Sequence, residues 1–133
     1  MKVFFDHNLS FTLARALQGL FNDEHEVVAL IDKFPRDISD ADWIRNLSNE
    51  GHWIVISGDR RITRNHAERH VIMNSELTGF FMAPSLNKAP VLKQLERLCA
   101  LWDNILNLAR SAQPGALYEL PISGNKPRPL RTR

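Results

Sequence analysis

Four short runs of unbroken apolar residues constrain this chain more than any other feature: Val3-Phe4-Phe5, Val27 to Ile31, Trp53 to Ile56 and Phe80 to Met82. A strand with one face in water alternates apolar with polar residues. A run that is apolar at every position fits instead a parallel sheet covered on both faces. The segments between the runs are of helical type. After Ser10, whose hydroxyl suits an N-cap, Leu13, Ala16, Leu17 and Leu20 recur at i, i+3, i+4 and i+7 as far as Phe21. Phe34-Pro35 breaks the second run. Ser39-Asp40-Ala41-Asp42 then opens a helix to about Asn49, with its acids in the first turn, where the helix dipole favours them. Gly51 ends that helix, a short one is expected over Ala67 to Met73, and Pro84 stops the fourth strand. Pro90 suits the first turn of a long helix to about Arg110, and Ala116 to Pro121 reads as an edge strand or a docked tail.

Strand and helix alternate, so the expected fold is α/β: a mainly parallel sheet of about four strands with helices on both sides, joined by right-handed crossovers. At 133 residues the chain is the size of one domain. We expect that domain over residues 1–122, followed by a basic, proline-rich, flexible tail over 123–133. Residues 126 to 133 hold four bases and no acids, which leaves 13 bases against 15 acids elsewhere. The overall charge of +2 therefore says little about the body, and any nucleic-acid argument rests on local clusters. Cys99 has no partner for a disulfide, and the N-terminus carries no signal-like segment, so the cytoplasm is the expected compartment. No apolar run approaches the roughly 18 residues needed to cross a bilayer.

In a parallel sheet the functional crevice lies beyond the carboxyl ends of the strands. Asp6 directly follows the first strand and Asp59 the third, and Asp40 and Asp42 sit where the chain crosses that edge into the second helix. Singly, each acid has a simpler account as a turn or helix cap, and Ser39 with Asp42 resembles a capping box. Jointly, three or four carboxylates in one crevice repel each other and call for a hard divalent cation, Mg2+ or Mn2+. The chemistry that follows is phosphodiester hydrolysis by a metal-activated water. Downstream, Arg60, Arg61 and Arg64 offer guanidinium forks for phosphate oxygens, a contact without base specificity. Asn8 and His7, beside Asp6, could touch a metal-bound water, although a role as polar turn residues is the simpler account. Glu68 is a further acid, open between a site member, a partner for arginine and a surface residue. His66 and His70, four apart, have a zinc-compatible spacing but no accompanying ligands.

The segments Val3 to Leu9, Asp40-Ala41-Asp42-Trp43-Ile44, Val55 to Ile62, Asn65-His66-Ala67-Glu68 and Gly79-Phe80-Phe81 together resemble a short bacterial PIN-like domain of the VapC toxin type, over residues 2 to about 85. The resemblance implies a three-layer α/β/α sandwich and a divalent-metal ribonuclease, often the toxin of a toxin–antitoxin pair. Asp6 and Asp59 map onto the acids ending strands one and three, and either Asp40 or Asp42 fills the middle position. Typical members carry another acid soon after the Asp59 position, where Arg60 and Arg61 stand here. That leaves one or two ions open, and with them a non-catalytic scaffold binding RNA or a partner protein. In the long helix Val91, Leu95, Leu98, Trp102, Ile105 and Ala109 form one apolar row, and Leu92, Cys99 and Leu106 a second. Packing on the sheet accounts for the first row, and the surplus suits a homodimer or an antitoxin helix. Cys99 reads here as a core residue.

Overall fold

The computed structural model describes residues 1–58 and 61–130, and only the backbone of Arg61 and Thr63. Six strands form one sheet: β1 (Lys2–Phe5), β2 (Glu26–Ala29), β3 (Trp53–Ser57), β4 (Thr78–Met82), β5 (Leu117–Leu120) and β6 (Arg128–Pro129), in the order β2-β1-β3-β4-β5-β6. The first five are parallel and β6 pairs antiparallel with β5. The helices are α1 (Phe11–Phe21), α2 (Leu30–Lys33), α3 (Asp40–Glu50), α4 (Arg61–Arg64), α5 (His66–Met73), α6 (Pro84–Asn87) and α7 (Val91–Ser111).

Side chains alternate across the pleat, so each strand feeds two cores. Val3 and Phe5 pack with Ile54, Ile56 and Phe80 under α1 and α7. Phe4, Val55 and Phe81 pack under α2, α3 and α5, against Leu30, Trp43 and Ile72. The expected three layers are present. Local chemistry sets the helix ends: Ser10 Oγ accepts from Thr12 N at 3.2 Å, Ser39 Oγ accepts from Asp42 N at 3.1 Å, and Asn65 Oδ1 accepts from Ala67 N at 3.0 Å.

The structure departs from the sequence-based expectations at four places. Leu30 and Ile31, expected to extend the second strand, begin the one-turn α2, because Leu30 O accepts from Phe34 N at 2.8 Å and Leu30 turns into the α3 side. The sheet has six strands rather than about four. Ala116 to Pro121 contains a true parallel strand, and the tail returns as β6, with Arg128 paired to Glu119 at 2.8 Å. Cys99 is exposed, not core: the buried stripe of α7 runs through Leu98, Leu101, Trp102 and Ile105, which turns Cys99 and the 78% exposed Leu92 outward. Among the described residues, no helix is long and apolar enough to cross a membrane.

Buried Arg97 on α7 anchors the chain after β5. Its guanidinium donates to Pro121 O at 3.3 and 3.4 Å and also to Gly124 O. Upstream, the turn from α7 into β5 depends on Gly115. Its φ is +83°, a Cβ there would overlap the Met73 carbonyl, and its N–H donates to Leu77 O at 2.8 Å. Gly115→Ala is therefore expected to cost about 2–4 kcal/mol in chemical denaturation. A loss below roughly 0.5 kcal/mol would contradict this account of the turn.

Candidate metal centre

The parallel register places Asp6. Phe5 pairs with Ile56, and the next amide, Asp6 N, donates to Ile56 O at 3.0 Å, so Asp6 leaves β1 alongside Ser57 at the end of β3. Asp6 is 1% exposed. Its Oδ2 accepts from Ser57 Oγ at 3.0 Å, and its Oδ1 accepts from the His7 amide at 2.7 Å. The His7 ring nitrogen Nδ1 lies 2.9 Å from the same Oδ1.

Asp40, the first residue of α3, reaches this group from the facing layer. One ligand-capable atom from each of Asp6, His7 and Asp40 lies within 4.8 Å of the others. Trp43 Nε1 donates to Asp40 Oδ1 at 2.9 Å, which braces the carboxylate from within its own helix. Asp42 is not in the group. Its side chain is 62% exposed, lies 3.9 Å from Arg45 Nη1, and its amide takes the Ser39 cap. The structure thus brings Asp40, of the two middle acids, to Asp6.

The remaining expected residues are distributed as follows. Asp59 and Arg60 lie outside the described residues, as does the side chain of Arg61. An open cleft of about 440 Å3 is lined, among the described residues, by Asp40, Arg64, Asn65 and Glu68. Arg64 and Glu68 therefore border the Asp6, His7 and Asp40 group through Asp40. Asn8 Oδ1 accepts from Gly58 N at 3.3 Å, tying the loop after β1 to the loop after β3. His66 Nδ1 lies 2.8 Å from Arg69 Nη2 and takes no part in the group.

The sequence placed His7 beside the site, as a contact to bound water or as a turn residue, and did not single out Asn87. His7 is a direct member of the cluster, not merely a turn residue beside it. Asn87, at the end of α6, packs its amide over Gly58 so closely that a Cβ on Gly58 would run into Asn87 Oδ1, with Leu9 Cδ2 at 3.2 Å. Buried Gln94 steadies that end of α6 by donating to Leu86 O and Asn87 O, both at 3.2 Å. The available signal was positional, since α6 follows the carboxyl end of β4, the same sheet edge.

Burial pushes the Asp6 carboxyl above its ordinary range. The Ser57 hydroxyl pulls it back, the nearby Asp40 raises it again, and the His7 ring and amide lower it. A buried carboxylate beside a second acid is short of positive charge. Oxygen donors with one imidazole nitrogen suit a divalent cation, so the residues present fit the metal that this arrangement calls for. Comparison with known families matches residues 1–84 to the family described as PIN like domain. Neither a curated protein nor a solved structure matches the chain.

The raised pKa fixes the sign of a stability effect. The folded chain holds the Asp6 proton more tightly than the unfolded chain, so metal-free stability falls as pH rises from 3.8, the ordinary value, through the raised folded value. Asp6→Asn removes that loss. In EDTA at neutral pH its Tm is expected to rise by about 2–5 °C, with the gain shrinking as pH falls through the same window. A variant less stable than wild type at pH 7 would refute the desolvation argument. Gly58→Ala is expected to displace the Asn87 amide at a cost of less than about 1.5 kcal/mol, because the obstructing atom ends a flexible side chain. A larger loss in denaturation would show the loop to be rigid.

Proposed function

Since the chain belongs to the PIN-like domain family, whose members are commonly nucleases, we propose that it is a divalent-metal-dependent endoribonuclease acting as the toxin of a type II toxin–antitoxin pair. The observation that carries this reading is the meeting of Asp6, from the end of β1, with Asp40, from the start of α3, at the carboxyl edge of a parallel sheet. Residues 34 positions apart converge there although burial and mutual repulsion oppose the arrangement. Proteins retain such arrangements where function needs them.

Asp6, Asp40 and Asp59 would hold Mg2+ or Mn2+ in this reading. An ion held there would supply Lewis acidity toward a phosphoryl oxygen and toward a water. The protein's own groups do the rest. Ser57 and the His7 amide fix both Asp6 oxygens, and Trp43 fixes Asp40. Arg64 borders the cleft, where its guanidinium suits a backbone phosphate. Arg60 and Arg61 follow in sequence as further phosphate contacts. The toxin role is supported by the motif resemblance to the VapC type, and the partner it implies is an antitoxin protein.

A second reading, a non-catalytic PIN-like scaffold that binds RNA or a protein, is favoured by one observation: Arg60 and Arg61 stand in sequence where a further acid would complete the metal site. Incubation of the purified chain with RNA and Mg2+ or Mn2+ separates the two. Asp6→Asn and Asp40→Asn should each lower cleavage by more than the ~10–100-fold typical of losing an outer-shell partner. Asp42→Asn should stay close to wild type. RNA retained but never cut by the wild-type chain, with either ion, would favour the scaffold. Suppression of cleavage by the product of a small adjacent reading frame would support the toxin role.

A further inference from the structure

The arrangement of His7 carries the reading of this centre one step further. Asp6 and His7 are adjacent in sequence, and adjacent side chains leave an extended strand on opposite faces. Here β1 ends at Phe5, and the turn begun by Asp6 O accepting from Leu9 N at 3.1 Å brings both side chains to one side. The His7 amide and Nδ1 both approach Asp6 Oδ1, at 2.7 and 2.9 Å, so the ring is held over the carboxylate. An octahedral ion with bonds of about 2.1 Å sets neighbouring ligand atoms roughly 3 Å apart. The 2.9 Å between Nδ1 and Oδ1 is a hydrogen bond when Nδ1 carries the proton, and it matches that spacing once an ion takes the proton's place.

Exposure points the same way. The Asp6 side chain is fully buried, while that of His7 is 42% exposed. His7 and Asp40 are thus the solvent-accessible members of the group, and Asp6 is the buried one. Among the described residues no third carboxylate joins Asp6 and Asp40, and the third group at ligand distance is this ring. A mixed set of carboxylate oxygen and imidazole nitrogen does not treat divalent ions alike. Magnesium favours oxygen and water, whereas first-row transition ions from manganese to zinc gain from nitrogen.

We propose that His7 is a direct metal ligand through its ring nitrogen, and that it biases this centre toward first-row transition ions over Mg2+. The inference rests on the reading of Asp6 and Asp40 as a metal centre, and binding tests it without any nuclease assay. The full chain is loaded with Mn2+ and followed by electron paramagnetic resonance, with pulsed detection of 14N coupling to the bound ion. Wild type is expected to show one bound Mn2+ with the coupling of a directly bound nitrogen. In His7→Asn that coupling disappears and Mn2+ and Co2+ bind on the order of tenfold more weakly, with a smaller change for Mg2+. Asp6→Asn loses binding of all three. Unchanged far-ultraviolet circular dichroism of His7→Asn in EDTA checks that the fold is intact.

Wild-type Mn2+ without 14N coupling, with His7→Asn binding as wild type and Asp6→Asn not binding, would overturn ligation by His7 and leave the centre standing. Equal weakening of Mg2+ and Mn2+ in His7→Asn, again without 14N coupling in wild type, would make His7 a positioning residue for Asp6 and also overturn the proposal. No Mn2+ binding by the wild-type chain would overturn both this inference and the metal-dependent nuclease.

Discussion

The register between β1 and β3 is the constraint on which the rest of the molecule depends. With Phe5 opposite Ile56, Asp6 and Ser57 emerge side by side and join through a 3.0 Å hydrogen bond. The same register sends Val3 and Phe5 to the α1/α7 core and Phe4 to the α3/α5 core. A slip of one residue exchanges the two faces of a strand. It would move Phe4 out from under Trp43, whose ring lies 4.9 Å from it, and would carry Asp6 away from the layer that supplies Asp40. Core and site are therefore specified together.

Electrostatics at that edge differ from those elsewhere on the molecule. The pairs Arg15–Asp32 and Lys93–Glu96 are exposed and contribute little, on the order of 0–1 kcal/mol each. Asp6 is buried, faces a second acid, and relies on neutral donors and one imidazole. Burial and repulsion work against its charge, and a divalent ion would reverse both effects at once. This unfavourable local arrangement is the physical mark that separates the centre from an ordinary exposed first-turn acid such as Asp42.

Much of this was legible in the chain. Unbroken apolar runs identified β1, β3 and β4, and the rule for parallel sheets selected Asp6 and the α3 acids. The choice between Asp40 and Asp42 was not legible. Two helical positions differ by about 200° of rotation, and only the packing of Trp43 against Phe4 sets which acid faces the sheet edge. Periodicity also failed at Leu30, because a short apolar run fits a strand or a buried helical turn equally well. The exposure of Cys99 turned on a single rotation of α7, with two apolar rows competing for one face. Asp59 lies outside the described residues, so its part in the site rests on the sequence and the motif resemblance. β6 was hidden for a different reason. A proline-rich, basic segment has little strand propensity of its own, and its pairing depends on Glu119 and on the carbonyls that Arg97 collects.

Arg97 also bears on how far the folding unit extends. The family match ends at residue 84, yet the α1 side of the sheet is covered by Leu98, Leu101, Trp102 and Ile105 from α7, with Leu120 from β5. The guanidinium of Arg97 is buried in that layer with main-chain oxygens from Pro121 and Gly124 as its acceptors. Removing the residues after β5 would strand a charge in an apolar layer, and removing α7 would uncover one face of the sheet. The part shared with relatives and the part that must fold as one cooperative body are thus different lengths of chain. Swapping residues 1–84 between relatives would carry the acids across, but not the layer that holds their sheet together.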